Sequence, residues 1–375
     1  MIMSDKHQKH PPLARIPRGT FHPVEWVIYG TTCGGINSLV DKIKQELTDL
    51  RLFYVDADHS EENHAYYKRL GSQMIHHDRY DYWNEYDSFI NSRMADAVLV
   101  NGNHYPATRQ IVVIDPMKES SLQRRHDQLT DIAAVIVKED ESEIYPWLQD
   151  SISATTVIFK EKEINRLTGW LHDSVKDSIA PVSALILAGG KSTRMGEDKS
   201  QIKYHRKTME LHLAEVCREL NVESFISKQH SYPEDNIQGI PVIKDRMPGM
   251  GPFGAIISAF IEKPDSAWMV MACDMPQLDK ASLQELLTNR MSSKSATAVK
   301  GKDKPFPEPL LAIYEPRIYP RMLDFLALGY ACPRKVLINS EVETITLISD
   351  DPIMNVNTPE ERQQYLENKE ANGQA

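Results

Sequence analysis

The chain has 375 residues, which sets an expectation of two domains or three small ones. Apolar residues make up 41% and charged residues 26%, so a real hydrophobic core is within reach and a disordered or fibrous protein is excluded. The formal net charge of −10 argues against general nucleic-acid or anionic-membrane binding, while leaving room for a local basic pocket. Cys33, Cys217, Cys273 and Cys332 lie far apart with no CxxC pair. That excludes a disulfide framework and a zinc ribbon, and it fits a reducing compartment. No stretch has the apolar length of a membrane-spanning helix, and the N-terminal residues lack the apolar segment of a secretory signal, so the expected location is the cytoplasm.

Residues 1–20 are polar and read as a disordered tail. From there short β-branched runs alternate with helical patterns, the signature of α/β layering around a mainly parallel sheet. In the first half the candidate strands are Val24–Tyr29, Leu52–Val55, Ala97–Val100, Ile111–Ile114 and Ile132–Val137, with a helix over Ser38–Leu50. These bound a first α/β domain over residues 21–150. Residues 151–180 are mixed in pattern, with an amphipathic piece over Ile164–Val175, and read as a linker helix region. A second domain is expected over residues 181–367, with strands Ala184–Leu187, Glu223–Ser227, Ala267–Ala272 and Pro309–Tyr314 and a helix Met209–Leu220. Residues 368–375 read as a frayed tail.

The sharpest signal follows strand Ala184–Leu187, which runs into AGGKSTRMGEDKS. Gly189, Gly190 and Gly196 carry no side chains, so backbone N–H groups there can approach an anion closely. Lys191, Arg194 and Lys199 concentrate positive charge in an acidic chain. The spacing is neither that of a P-loop nor GxGxxG, and taken alone it suits a nucleotide phosphate or a simple turn equally well. Asp245, in PVIKDRMPGMGPFGAI, and Asp274, in AWMVMACDMPQL, emerge where strands end. At the carboxyl edge of a parallel sheet such acids can hold Mg²⁺ on phosphate oxygens, or serve as solvated turn residues.

The blocks LILAGGKSTRMGEDK, VIKDRMPGMGPFGAI, MACDMPQL, PEPLLAIY and MNVNTPEE occur in this order. Together they resemble the bacterial molybdenum cofactor guanylyltransferases over residues 182–365. The resemblance implies a Rossmann-like nucleotidyltransferase sheet and Mg²⁺-dependent transfer of GMP from GTP to molybdenum-molybdopterin, with pyrophosphate leaving. It further implies that Leu187, Ala188, Gly189 and Gly190 line the nucleotide through backbone groups. Lys199 would meet the phosphates, Asp245 the base or ribose side, and Asp274 both nucleotide and metal. Arg194 and Lys199 would stabilise charge on the phosphates. The family often carries Asn where Ser227 stands, which leaves that contact open. Glu308 and Asn357 fall in matching blocks without an assigned role. A cytidylyltransferase, a transferase acting on another phosphorylated acceptor, and a nonenzymatic nucleotide or pterin carrier are the alternatives. Molybdoenzymes or their chaperones are the implied protein partners, with no nucleic acid and no membrane.

After Val24–Tyr29, the segment GTTCGGINS has the Gly30-to-Gly35 spacing of a P-loop, but Ile36 and Asn37 stand where Lys and Ser/Thr are needed. With VLVNGNHYPATRQIVVID, where Asn101 replaces an acid, it resembles a degenerate form of the P-loop GTP-binding companion protein of molybdopterin guanine dinucleotide synthesis. A backbone cradle without hydrolysis is what this implies, and the domain's role is either docking or tethering. His59, His64, His76 and His77 have no standard ligand spacing and read as surface residues.

Overall fold

The computed structural model describes residues 19–57, 66–70, 73–77, 85–139, 143–188, 207–349, 351–354 and 356, with 361, 363 and 367. The chain divides into two compact units, residues 16–179 and the chain from Ala180 onward.

In the first unit, β1 (Glu25–Tyr29), β2 (Leu52–Val55), β5 (Ala97–Asn101), β6 (Arg109–Ile114), β7 (Ile132–Val137) and β8 (Val157–Lys160) run parallel. An antiparallel hairpin of β3 (Tyr66–Leu70) and β4 (Gln73–His77) extends one edge, giving the order β4-β3-β2-β5-β1-β6-β7-β8. β1 and β5 are buried along their whole length because helices cover both faces, which is why they read as continuous apolar runs. Trp26 and Ile28 enter one core and Val27 and Tyr29 the other, as the two-residue repeat of a strand requires.

Helix α1 (Cys33–Glu46) begins five residues before the sequence-based start, because the Thr32 hydroxyl accepts the Gly35 N–H and caps it. Ile36, Leu39, Val40 and Ile43 then fall on one buried face. The Gly30–Gly35 spacing is therefore not an extended phosphate cradle. Only Gly30, Thr31 and Thr32 connect β1 to α1, and Cys33–Gly35 are helix. Gly30 (φ 92°) is irreplaceable by geometry, since a Cβ there would lie 2.1 Å from the Val113 carbonyl oxygen.

α2 (Glu85–Ser92) and α3 (Glu119–Gln123) complete the middle of this unit. The segment expected to link the two halves differs from that reading. β8 pairs with β7, and α4 (Ile164–Lys176) buries Leu167, Leu171 and Val175 in the same core as Trp26, with Trp170 5.9 Å from Trp26 ring to ring. Apolar residues four apart give α4 a face that only burial satisfies, so strand and helix belong to the first unit.

The second unit is built on β9 (Val182–Leu187), flanked in parallel by β10 (Glu223–Lys228) and β13 (Ala267–Ala272). β12 (Ile240–Lys244) continues beyond β10 and pairs with the short β11 (Asn236–Ile237). On the other side β15 (Leu311–Tyr314) is antiparallel to β13, followed by β14 (Ala296–Val299) and β16 (Val342–Ile345). The order is β11-β12-β10-β9-β13-β15-β14-β16. Helices α5 (Met209–Glu219), α6 (Pro252–Glu262), α7 (Lys280–Thr288), α8 (Ile318–Ala327) and α9 (Pro333–Ile338) cover the faces. Alternation along the strands feeds two cores: Ala184, Ile186, Met269 and Met271 in one, Leu185, Trp268 and Val270 in the other. No helix among the described residues is long and apolar enough to cross a membrane.

Candidate active site at the carboxyl edge of the second sheet

From β9 the chain steps outward to β10 and β12, then returns to place β13 on the other side of β9. Such a reversal opens a crevice at the carboxyl ends of the strands, where α/β sheets bind ligands. Backbone bonds tie the strand ends together there. Ala188 N–H donates to the Ser227 carbonyl (3.3 Å), Asp245 N–H to Lys228 (2.8 Å) and Cys273 N–H to Leu187 (3.4 Å). Leu187, Ala188, Ser227, Asp245 and Asp274, separated widely in sequence, thus share one edge. Gly189, Gly190, Lys191, Arg194, Gly196, Lys199 and Asn357 lie outside the described residues.

Asp245 follows β12 and is half-buried, its Oδ1 accepting the Met247 N–H at 2.8 Å. The turn leads into α6, where Pro252 occupies the first helical turn and Gly254 packs against the loop. A Cβ on Gly254 would lie 2.7 Å from the Met247 carbonyl oxygen and 3.0 Å from Asp245 Oδ1, so the glycine permits the close approach that fixes this carboxylate. Ser258 Oγ completes the turn, donating to the Gly254 carbonyl and accepting the Arg246 N–H.

Asp274 follows β13 after the buried Cys273, and its carbonyl accepts the Val356 N–H at 2.8 Å. That bond brings Val356, of the MNVN block, beside the MACD block. Glu308 belongs to the same neighbourhood. Burial pushes its carboxyl above the usual range and the Asp274 charge adds to this, while the Leu310 N–H and the Arg334 guanidinium act in the opposite sense. Glu308 and Arg334, 3.5 Å apart, line a cavity of about 520 Å³ with Gly301, Lys304, Phe306 and Met354. Cation, carboxyl, aromatic ring and thioether in one concavity suit a polar heterocycle bearing an anionic group.

A group whose folded pKa is raised supplies stability below its unfolded value and loses it as pH rises through the folded value. Glu308→Gln removes that titration and keeps an oxygen for the Leu310 N–H. The variant is expected to match the wild type below the ordinary Glu value of 4.5 and to gain on it above. Urea midpoints at about pH 4 and about pH 7.5 measure this. A variant that loses ground at the higher pH would show the Arg334 pairing to dominate.

Residues 184–343 match the family model described as a MobA-like NTP transferase domain. Residues 184–343 thus carry a MobA-like NTP transferase domain. Among curated proteins, the chain is 30% identical over 215 residues to a molybdenum cofactor biosynthesis bifunctional protein of Synechocystis, covering 56% of this chain and 60% of that one. It is 29% identical to a probable molybdenum cofactor guanylyltransferase of Carboxydothermus hydrogenoformans, covering 49% of this chain and 95% of the relative. Of the solved structures, molybdopterin-guanine dinucleotide biosynthesis protein A from Archaeoglobus fulgidus aligns at 18% identity and a TM-score of 0.41, covering 50% of this chain and 99% of that one. A MobB protein homolog from Bacillus stearothermophilus aligns at 19% identity and a TM-score of 0.28, covering 41% and 98%.

The transferase domain also holds groups that sequence reasoning missed. Lys228, at the end of β10, pairs with Glu210 of α5 at 2.6 Å, and their side chains are only 6% and 3% exposed. Arg290 makes a two-pronged contact with the buried Glu315, at 2.6 and 2.7 Å, and donates to the Ala180 carbonyl. A charged residue at the end of an apolar run was the available signal for Lys228. Its partner is set by helix packing, which spacing does not reveal.

Proposed function

We propose that the transferase domain joins GMP, taken from GTP, to the phosphate of molybdenum-carrying molybdopterin, releasing pyrophosphate. The observation that carries this reading is the convergence of Leu187, Ala188, Ser227, Asp245 and Asp274 at one carboxyl edge, ordered as the guanylyltransferase resemblance requires. In this reading the strand-end backbone of Leu187 and Ala188, continuing through Gly189 and Gly190, lines the nucleotide. Asp245 and the buried Ser227 face its base and ribose side. Lys199 and Arg194 stabilise the phosphates, and the cavity beside Glu308 and Arg334 takes the pterin.

The chemistry is in-line displacement: an acceptor phosphate oxygen bonds to the α-phosphorus while the bond from that phosphorus to the β-phosphate bridging oxygen breaks. Little covalent help is needed, so the residues act by positioning and by charge. Asp274 fits Mg²⁺, since its hard carboxylate oxygen suits an ion that otherwise prefers waters and phosphate oxygens. When bound, that ion would neutralise phosphate charge. GTP, CTP and ATP compared in parallel for pyrophosphate release test the base assignment. GTP is expected to be preferred by at least about tenfold, a difference of about 1.4 kcal/mol. Preference for CTP would overturn the guanylyl assignment.

A further inference from the structure

The first unit carries a second polar cluster, also at a sheet's carboxyl edge and also where the strand order reverses. From β1 the chain moves to β2 and β5 on one side, then returns to β6 on the other. Cys33, the first residue of the 14-residue α1, lies in the crevice beside β1. Its Sγ is 3.2 Å from His104 Nε2, on the loop after β5. Asp56, after β2, places Oδ1 3.7 Å from the same nitrogen, with side-chain exposures of 22% for His104 and 19% for Asp56.

Amides hold the cluster in place. Asn101 Nδ2 donates to Asp56 Oδ1 at 2.8 Å, and Asn103 Nδ2 donates to the Thr31 carbonyl at 3.0 Å while lying 3.5 Å from Cys33 Sγ. Cys33 remains partly exposed, and the space beside its neighbour Gly34 is open. A thiol within reach of a base is the arrangement of an activated nucleophile, and Asp56, which approaches the same nitrogen as the thiol, adds negative charge beside that base without orienting its ring. The first N–H groups of a helix have no intrahelical partners; that of Gly35 is taken by the Thr32 hydroxyl, which leaves those of Cys33 and Gly34 for a carbonyl oxygen brought to Sγ.

Among the described residues, the same edge suits phosphate poorly. Lys138 is committed to Asp115, which also accepts from Thr31 Oγ1 (2.8 and 2.7 Å), and Arg125 is committed to the carbonyls of Gly102 and Asn103. With Asp56 and Asp115 present, an uncharged electrophile is favoured over an anion.

We propose that Cys33, His104 and Asp56 form a thiol-nucleophile site that takes the acyl group of an activated ester or thioester. The Sγ proton passes to His104 Nε2 and Sγ bonds to the carbonyl carbon. The bond from that carbon to the leaving oxygen or sulfur breaks, and the leaving group takes the proton from His104. Asp56 stabilises the imidazolium between these two transfers. Water then adds to the thioester carbon, passing a proton through His104 to Sγ, and the carboxylic acid departs. No electron is gained or lost.

Timed acetylation of the full chain by p-nitrophenyl acetate, mapped by mass spectrometry, tests this. One equivalent of p-nitrophenolate is expected in a burst, with the acetyl group on Cys33. The rate should be at least about a hundredfold above that of glutathione under the same conditions. Cys33→Ser should lose the burst, and His104→Gln should slow it about 10²–10³-fold. The proposal fails if wild-type Cys33 reacts no faster than glutathione, if another residue is acetylated first, or if His104→Gln, shown folded by its melting curve, reacts as fast as wild type.

Discussion

Asp274→Asn is expected to lower pyrophosphate release by about 10²–10³-fold or more while leaving the melting temperature within a few degrees of wild type. The two parts of this expectation come from different atoms. The backbone of Asp274 is set by the buried run of β13 and by the Val356 N–H on its carbonyl, and neither depends on the side-chain charge. Asp274 follows Cys273, whose N–H bonds to the Leu187 carbonyl at the strand edge where the proposed reaction concentrates phosphate charge. Asn keeps the shape and one oxygen but removes the negative charge that a divalent cation needs. Because Asp274 also helps to raise the Glu308 pKa, the substitution should bring that pKa back toward its ordinary value. The Glu308 titration, followed by NMR, reports this independently of turnover. Unimpaired release by the variant would remove Asp274 from the mechanism.

Lys228→Met is expected to lower stability by about 3–5 kcal/mol. The variant takes the Lys228 ammonium from a Glu210 carboxylate that is only 3% exposed, and desolvation of that charge outweighs the added apolar contact. Replacing Lys228 and Glu210 together by Met should recover most of the loss, since a buried pair contributes little net stability over well-packed apolar groups. Chemical denaturation of the two single variants and the double variant measures the coupling. A Lys228→Met loss below about 1 kcal/mol would show that Glu210 takes up a proton or reaches water readily.

Much of the fold was legible in the sequence because its central strands are buried on both faces. Leu52–Val55, Ile132–Val137 and Ala267–Ala272 appear in the structure with the expected bounds. The positions of Asp245 and Asp274 at strand ends were readable for the same reason: an acid that closes an apolar run marks where the strand leaves the core. What escaped detection is physically different. β14 and β16 are ATAV and VETI, whose small and polar residues make no large apolar run like the one that marks Leu52–Val55. The start of α1 was misplaced because Gly34 and Gly35 read as loop, whereas the Thr32 cap draws both into the first turn. β8 and α4 read as a linker because polar residues surround Leu167, Leu171 and Val175, and only the waiting core reveals their side. Cys33 and His104 lie 71 residues apart and meet through sheet topology, which composition and spacing do not encode.

The most direct test of the central proposal is the full reaction with the intact chain: GTP and molybdenum-loaded molybdopterin, with products separated and counted. Pyrophosphate and molybdopterin guanine dinucleotide should appear in equal amounts, and omission of the pterin should abolish both. GTP held by the folded protein with neither product formed would contradict the transferase reading and leave a nucleotide-binding carrier in its place.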